Sequence, residues 1–188
     1  MSVVTLFQNR DDIVVSKPLI TFVSQIKKGN YADSVDRLRD MYHRRLDTMF
    51  DQQKRQIPRM SIAGNFKIEG DKLELVSYSG FLYFELVYLR PDRMREVRAL
   101  LEENPYVFAC FKNTLAFGVC FIVRTEVGQW LHPIIFKKAH DYFSKVLSVR
   151  RLQKSGKRIQ HLCMMSYDTQ ASVNPASLPF PYYGDPKH

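Results

Sequence analysis

The sequence predicts an α+β fold in a single domain, with a mixed or antiparallel sheet and helices packed on it. Two patterns support this prediction. Apolar runs of strand length recur along the chain, and segments with apolar residues at helical spacing lie between them. In addition, a chain of 188 residues with 45% hydrophobic content is long enough to bury one core of ordinary size.

The most apolar run covers residues 80–89, where Glu85 is the only charged side chain. A Ser-Gly pair precedes the run and Arg-Pro follows it, which is typical of a strand buried on both faces. Alternate side chains of a strand share a face, so Glu85 is expected to lie with Phe81, Tyr83, Val87 and Leu89. An ionised carboxylate is costly there unless it is paired, metal-bound or protonated, so the surroundings of Glu85 are the main functional question.

The other elements are predicted in chain order. Strands at residues 3–7 and 13–15 come first, and Ser16 caps a helix that has Pro18 in its first turn and ends at Gly29. The stretch from Tyr31 to about Lys54 predicts one longer amphipathic helix. Beyond it we expect a loop or short strand at 60–66, strands at 73–78, 106–111, 117–125 and 159–167, and helices at 91–103 and 132–147.

The prolines after residue 172 predict an extended tail, because proline cannot donate regular helix or ladder hydrogen bonds. The predicted organisation is therefore a domain over residues 1–172 and a Pro/Tyr-rich tail over residues 173–188. No internal repeat or long linker suggests a second domain.

The chain is basic, with 28 Lys and Arg against 19 Asp and Glu and a net charge of +9. Such a balance favours a polyanionic partner, with DNA or RNA first and an anionic membrane surface second. No apolar run reaches the roughly 18 to 20 residues needed to cross a bilayer, and no signal peptide is evident. The three cysteines form no C-x-x-C pair and are expected to be buried, reduced thiols; they are Cys110, Cys120 and Cys163. We therefore expect a cytoplasmic protein. A membrane is not among the expected partners.

A set of short motifs, in their order, resembles the VirE N-terminal domain of bacterial mobile-element proteins, which is assigned to the archaeo-eukaryotic primase-polymerase superfamily. The resemblance extends over about residues 3 to 176. The motifs are Val4-Thr-Leu-Phe, Gln56-Ile-Pro, Ala63-Gly-Asn-Phe, Tyr78-Ser-Gly, Asn104-Pro-Tyr, the segment from His161 to Asp168, and Asn174-Pro.

The resemblance implies a primase-like fold in which two aspartates, two positions apart on one strand, hold divalent metal ions. Two carboxylates on one strand face can bind the same hard cations. Here Glu85 and Val87 occupy these positions, so only one carboxylate is left. Other departures fall at residues 113–118, at Cys120 and at His161, and together they predict a degraded or absent catalytic site.

Glu85 is the one candidate catalytic residue, and Glu85 with Asp168 is the candidate metal site. Magnesium or manganese would be the cofactor of an active enzyme; otherwise none is expected. The alternatives are that Glu85 pairs with a nearby cation or accepts a hydrogen bond from a tyrosine, and that Asp168 lies in a solvated turn. His161 and Cys163 share a strand face, but without further ligands at recognisable spacing ordinary packing is the favoured interpretation.

A run of five basic residues within residues 150–158 is the best nucleic-acid-binding candidate, because clustered cations release counterions from a phosphate backbone. The alternative is a solvated loop. The full candidate set adds three arginines from elsewhere and comprises Arg150, Arg151, Lys154, Lys157, Arg158, Arg90, Arg93 and Arg124.

Three functions remain open at this stage. The first is a primase-like nucleic-acid-binding protein of mobile-element replication or transfer without catalytic activity. The second is a metal-dependent primase or nucleotidyltransferase. The third is an interaction module that docks a helicase or another replication protein, partly through the Pro/Tyr-rich tail.

Overall fold

The structure is a computed structural model that describes residues 2–9 and 12–182. Its elements confirm the α+β class. In chain order they are β1 (Val3–Asn9), β2 (Asp12–Pro18), α1 (Leu19–Lys28), α2 (Ala32–His43), α3 (Asp47–Gln56), β3 (Arg59–Ser61), β4 (Gly64–Glu69), β5 (Lys72–Tyr78), β6 (Phe81–Leu86), α4 (Pro91–Glu103), β7 (Val107–Lys112), β8 (Val119–Arg124), α5 (His132–Val146), β9 (Leu162–Met164) and β10 (Ser172–Val173). Among the described helices, none is long and apolar enough to cross a membrane.

The strands form three sheets, and every described strand pair is antiparallel. The first sheet has the order β2-β1-β3-β9, the second has the order β10-β7-β8-β6, and β4 pairs with β5 as a separate hairpin. The second sheet lies between two hydrophobic cores. One face of β6 packs with residues of the first sheet and α1, and the other face packs with α4 and α5.

Strand β6 is buried on both faces, as predicted from its apolar sequence. Phe81 and Tyr83 belong to one core, whereas Leu82, Phe84 and Leu86 belong to the other. The prediction of its length was wrong, because β6 ends at Leu86. It is the outermost strand of its sheet. Its ladder with β8 runs from Phe81 opposite Arg124 to Leu86 opposite Val119.

The free edge of β6 is closed by the segment 152–156. Leu152 forms an isolated bridge with Leu86, and the Gln153 N–H donates to the Glu85 carbonyl at 2.9 Å. Gly156 lies so close to the strand that a Cβ there would be 2.0 Å from the Tyr83 carbonyl oxygen. An exposed strand edge invites pairing with other chains, and this segment removes that edge.

The single helix predicted from residue 31 to 54 is instead two helices, α2 and α3. Arg45 between them has a left-handed backbone with φ of 57°. The N–H groups of Arg45 and Leu46 donate back to the carbonyls of Tyr42 and Met41, which ends α2. Helix α3 then folds back, and the Gln53 amide donates to the Ser34 carbonyl at 3.4 Å.

Three further boundaries differ from the prediction. Ser16 lies in β2, where its hydroxyl donates to Asn65 at 2.8 Å, and Pro18 occupies the residue before α1. The final strand is limited to β9 within the predicted range 159–167. The segment after residue 172 packs on the domain, since Phe180 is buried in the core beside α5. The domain division at residue 172 stays a prediction, and residues 183–188 lie outside the described residues.

The contact of Gly156 with β6 predicts a large loss of stability on Gly156→Ala. The added methyl would also meet the Phe136 ring at 3.0 Å, so backbone atoms would have to shift. We expect a loss of about 1 to 3 kcal/mol in the free energy of unfolding, measured by urea denaturation. Gly128→Ala is the control, because nothing lies within 4 Å of a Cβ at that position. Equal stability of the two variants would contradict the closure of the β6 edge by this segment.

Candidate nucleic-acid interface

The Glu85 carboxylate is held by two neutral hydrogen-bond donors. The Asn113 amide donates to Oε1 at 3.0 Å, and the Tyr83 hydroxyl donates to Oε2 at 3.3 Å. The side chain is half-buried and lines a small depression of about 100 Å³. Glu85 thus accepts a hydrogen bond from a tyrosine, which was one of the alternatives to a catalytic role.

Tyr83 is buried beside two of the three cysteines. Burial, strengthened by the neighbouring Cys120 and Cys163, raises the pKa of Tyr83 well above its ordinary value. The phenol therefore stays protonated and remains a donor to Glu85, while its oxygen lies 3.1 Å from the Cys120 sulfur. All three cysteines are free and buried, as predicted.

Asp168 is buried, so the alternative of a solvated turn was wrong. Its Oδ2 pairs with the Arg98 guanidinium at 2.8 Å and accepts the Lys112 N–H at 2.9 Å, and its Oδ1 accepts the Gln170 N–H. Burial raises the pKa of the Asp168 carboxyl, but the Lys112 N–H and Arg98 together outweigh burial, so the pKa lies below its ordinary value.

Glu85 and Asp168 share none of these partners. Within residues 2–9 and 12–182, no group of three or more His, Cys, Asp and Glu side chains is placed to hold a metal ion. The joint metal site and a catalytic role for Glu85 stay predictions from the sequence, and the geometry adds no third ligand to them.

The basic run 150–158 lies on the surface along the outer edge of β6. All five of its basic side chains, Arg150, Arg151, Lys154, Lys157 and Arg158, are exposed, and none forms an ion pair with a described residue. The backbone of the run faces β6, so the charges point outward. The run thus forms a row of positive charge on a backbone that is held in place.

Two histidines of α5 anchor this run. The His132 ring lies 2.9 Å from both the Tyr78 hydroxyl and the Gly156 carbonyl, and the His140 Nε2 lies 3.1 Å from the Leu152 carbonyl. Burial lowers the pKa of His132, so its ring is neutral at pH 7 and donates from Nε2 to Gly156. Neither anchor leaves a local signal in the sequence, because the partners lie more than ten residues away in the chain.

A cleft of about 1070 Å³ opens at the end of the basic run, between the β4–β5 hairpin and residues 158–162. Three cations line it, Arg59, Lys72 and Arg158, against one carboxylate among the described lining residues, Asp71. Sequence reasoning missed Arg59 and Lys72 because they stand alone in the chain, and only the pairing of β3 with β9 and of β4 with β5 brings them to Arg158.

His161 lies in the wall of the cleft and stacks on the Tyr83 ring, with the ring centroids 5.2 Å apart. Burial, together with the positive charge of Arg158, lowers the pKa of His161 to about 4. The ring is therefore neutral at pH 7, and it connects the cleft to the hydrogen bonds around Glu85. The sequence favoured ordinary packing for His161, and the stacking of its ring on Tyr83 agrees with that interpretation.

The three other predicted arginines have different surroundings. Arg90 is 84% exposed and lies 3.8 Å from Asp92, and Arg124 is exposed at the end of β8. Arg93 is held against the body of the protein, because it donates to the Leu147 carbonyl and pairs with Glu96. Arg90 thus stays accessible, whereas Arg93 connects α4 to the end of α5.

The model of one protein family, described as BT4734-like, N-terminal domain, matches residues 52–172. The match extends from α3 to the start of β10 and includes β6, the basic run and all described residues that line the cleft. The chain belongs to this family. No curated protein and no solved structure matches the chain.

The family assignment corrects the resemblance to the VirE N-terminal domain. The BT4734-like N-terminal domain is a different family from the VirE N-terminal domain, so the assignment to VirE and to the primase-polymerase superfamily was wrong. The pattern of two metal-binding aspartates on β6 was inferred from that resemblance and loses its support.

The burial of the Asp168–Arg98 pair predicts a pH-dependent contribution to stability. Asp168→Asn leaves Arg98 without its buried partner, and we expect a loss of about 3 to 5 kcal/mol at pH 7. A carboxyl whose pKa is lowered on folding stabilises the protein above its unfolded pKa of about 3.9 and loses that effect as the pH falls. The difference between the two proteins should therefore shrink below about pH 4 in urea denaturation.

Glu102→Gln is the matched control for Asp168→Asn. Glu102 pairs with the same arginine at 3.0 Å, but its side chain is 40% exposed. We expect a change within about 0.5 kcal/mol at pH 7, because exposed pairs contribute little. A loss as large as that of Asp168→Asn would contradict the special role of the buried pair.

Proposed function

We propose that this protein binds nucleic acid through a continuous basic surface formed by the run 150–158 and the adjoining cleft. The observation that carries the proposal is the position of Arg158, which belongs to the run and also lines the cleft with Arg59 and Lys72. Residues from three separate parts of the chain thus contribute to one concave, positively charged surface.

The cleft suits an extended polyanion. Its volume of about 1070 Å³ lies just above the range of about 300 to 1,000 Å³ for small-molecule sites, and it opens at the end of a row of exposed cations. Binding at such a surface is driven by counterion release, which depends on phosphates and not on base sequence. The net charge of +9 supports the same class of partner.

Activities that were inferred from the VirE resemblance alone are not part of the proposed function. Primer synthesis and a role in mobile-element replication or transfer have no other support here. Docking of a helicase or another replication protein stays a prediction from the sequence. A cytoplasmic location is part of the proposal, and the three free, buried thiols support it because thiols persist in reducing compartments.

Arg158→Gln and Lys72→Gln test the surface directly. Each variant should weaken binding of a fluorescein-labelled 15-nucleotide single strand, because each removes one cation that neutralises a phosphate. The slope of log K against log salt should fall in magnitude by about 0.7 for each phosphate that is no longer neutralised. Fluorescence anisotropy at several salt concentrations between about 50 and 200 mM measures both effects.

Lys28→Gln is the control, because it removes one positive charge from the exposed end of α1, outside the cleft. It should leave affinity and salt slope close to those of the unaltered protein. If all three variants lose affinity equally, the loss reflects the lower net charge of the protein, and the nucleic acid does not bind at the proposed surface. If the unaltered protein fails to bind single or double strands at about 50 mM salt or below, the proposed function is wrong.

A further inference from the structure

The backbone at Tyr88 departs from the strand that precedes it. A continued strand would direct Tyr88 to the same core as Leu82, Phe84 and Leu86, but Tyr88 adopts a left-handed conformation with φ of 57°. Its ring is consequently 75% exposed, and Leu89 packs against that core instead. Left-handed backbone is unfavourable for an aromatic residue, and such strain persists where the surrounding structure or the function maintains it.

Tyr88 lies at the rim of an aromatic surface, which we define as Tyr42, Tyr88 and Phe117. Tyr88 and Phe117 line the same depression, and the Leu89 N–H donates to the Phe117 carbonyl at 2.7 Å. The Tyr42 ring lies 5.2 Å from the Phe117 ring and is 39% exposed. Rings from α2, from the end of β6 and from the loop before β8 therefore meet at one place.

The position of α2 is fixed by Arg39, which makes the aromatic surface a built feature. Its guanidinium donates to the Thr114 carbonyl at 2.9 Å and to the Tyr167 carbonyl at 3.0 Å. The first bond connects the helix directly to the loop that carries Phe117.

The charges around the aromatic surface are separated by sign. Glu85 lies inside the depression that Tyr88 and Phe117 line, so a phosphate is repelled there. Arg90 follows Tyr88 closely in the chain and is exposed, and the Gln153 N–H donates to the Glu85 carbonyl, so the basic run lies beside the same strand. This pattern suits a ligand with an uncharged aromatic part over the depression and phosphates at its margins.

We infer that the aromatic surface stacks the unpaired bases of a single-stranded nucleic acid whose phosphates lie on the basic run. The inference rests on the proposed function and specifies its substrate as a single strand. The bases of a duplex are stacked on one another inside the helix, so their faces are not available to Tyr88. Stacking on protein aromatic rings tolerates any base, because each base has a π-face.

The test compares two labelled 15-mers with the same number of phosphates, one of thymidine and one made only of abasic sites. The unaltered protein should bind the thymidine strand about 5- to 150-fold more tightly, the range for stacking of one base. Tyr88→Ala should abolish most of this difference and leave the affinity for the abasic strand unchanged. Tyr88→Phe should retain the difference, because the ring is kept.

The outcomes separate this inference from the proposed function. Equal affinity of the unaltered protein for both strands overturns the stacking surface but leaves backbone binding intact. An equal loss for both strands on Tyr88→Ala also overturns it, because the ring would then act through the fold. Failure of the unaltered protein to bind either strand overturns the proposed function as well. A protein partner would then be the remaining ligand for the aromatic surface.

A second measurement distinguishes function from folding. Tyr88→Gly relieves the left-handed strain and removes the ring, so we expect the melting temperature to rise by roughly 2 to 4 °C while the preference for bases is lost. Ala116→Gly is the matched control, because Ala116 has φ of 60° in the nearby loop and carries no ring. It should raise the melting temperature without changing the preference. Retention of the preference for bases in Tyr88→Gly would overturn the inference, whatever the change in melting temperature.

Discussion

The arrangement of the molecule depends on the burial of β6 on both faces and along both edges. One face contributes to each of the two cores, β8 pairs with one edge, and residues 152–156 close the other. A strand so enclosed must satisfy every polar group it carries, because an unpaired buried group costs about as much as a lost hydrogen bond. The single carboxylate of the strand meets this constraint through Asn113 and Tyr83.

The same constraint determines the character of the basic surface. Because the backbone of segment 152–156 is needed to close the edge of β6, its position is fixed by the strand and by His132 and His140. The cationic side chains of the run have no place in the core and extend into solvent. A run of basic residues in a free loop would lose conformational entropy on binding a polyanion, whereas a run whose backbone is already ordered loses less.

The sequence was sufficient for features determined locally, such as both faces of β6, the buried side of α1 and the contiguous basic run. It was insufficient where Arg45 and Tyr88 adopt a left-handed backbone conformation that their residue types disfavour. The ends of α2 and β6 at these residues therefore left no signal in the sequence. Arg59, Lys72 and the aromatic surface are assembled by contacts between distant segments, which no local pattern encodes.

The family resemblance was wrong for a different reason. Apolar motifs reflect a shared need for buried strands and helices and do not identify one family among several.

The segregation of charge around Glu85 connects these observations. Its carboxylate is kept in place by neutral donors, so its negative charge is not cancelled by an adjacent cation. A site built to hold phosphate would place a cation at this position, whereas the exposed Arg90 follows the end of β6 and the basic run lies along the outer edge of that strand. The carboxylate thus keeps a negative charge inside the depression at whose rim the Tyr88 ring is exposed.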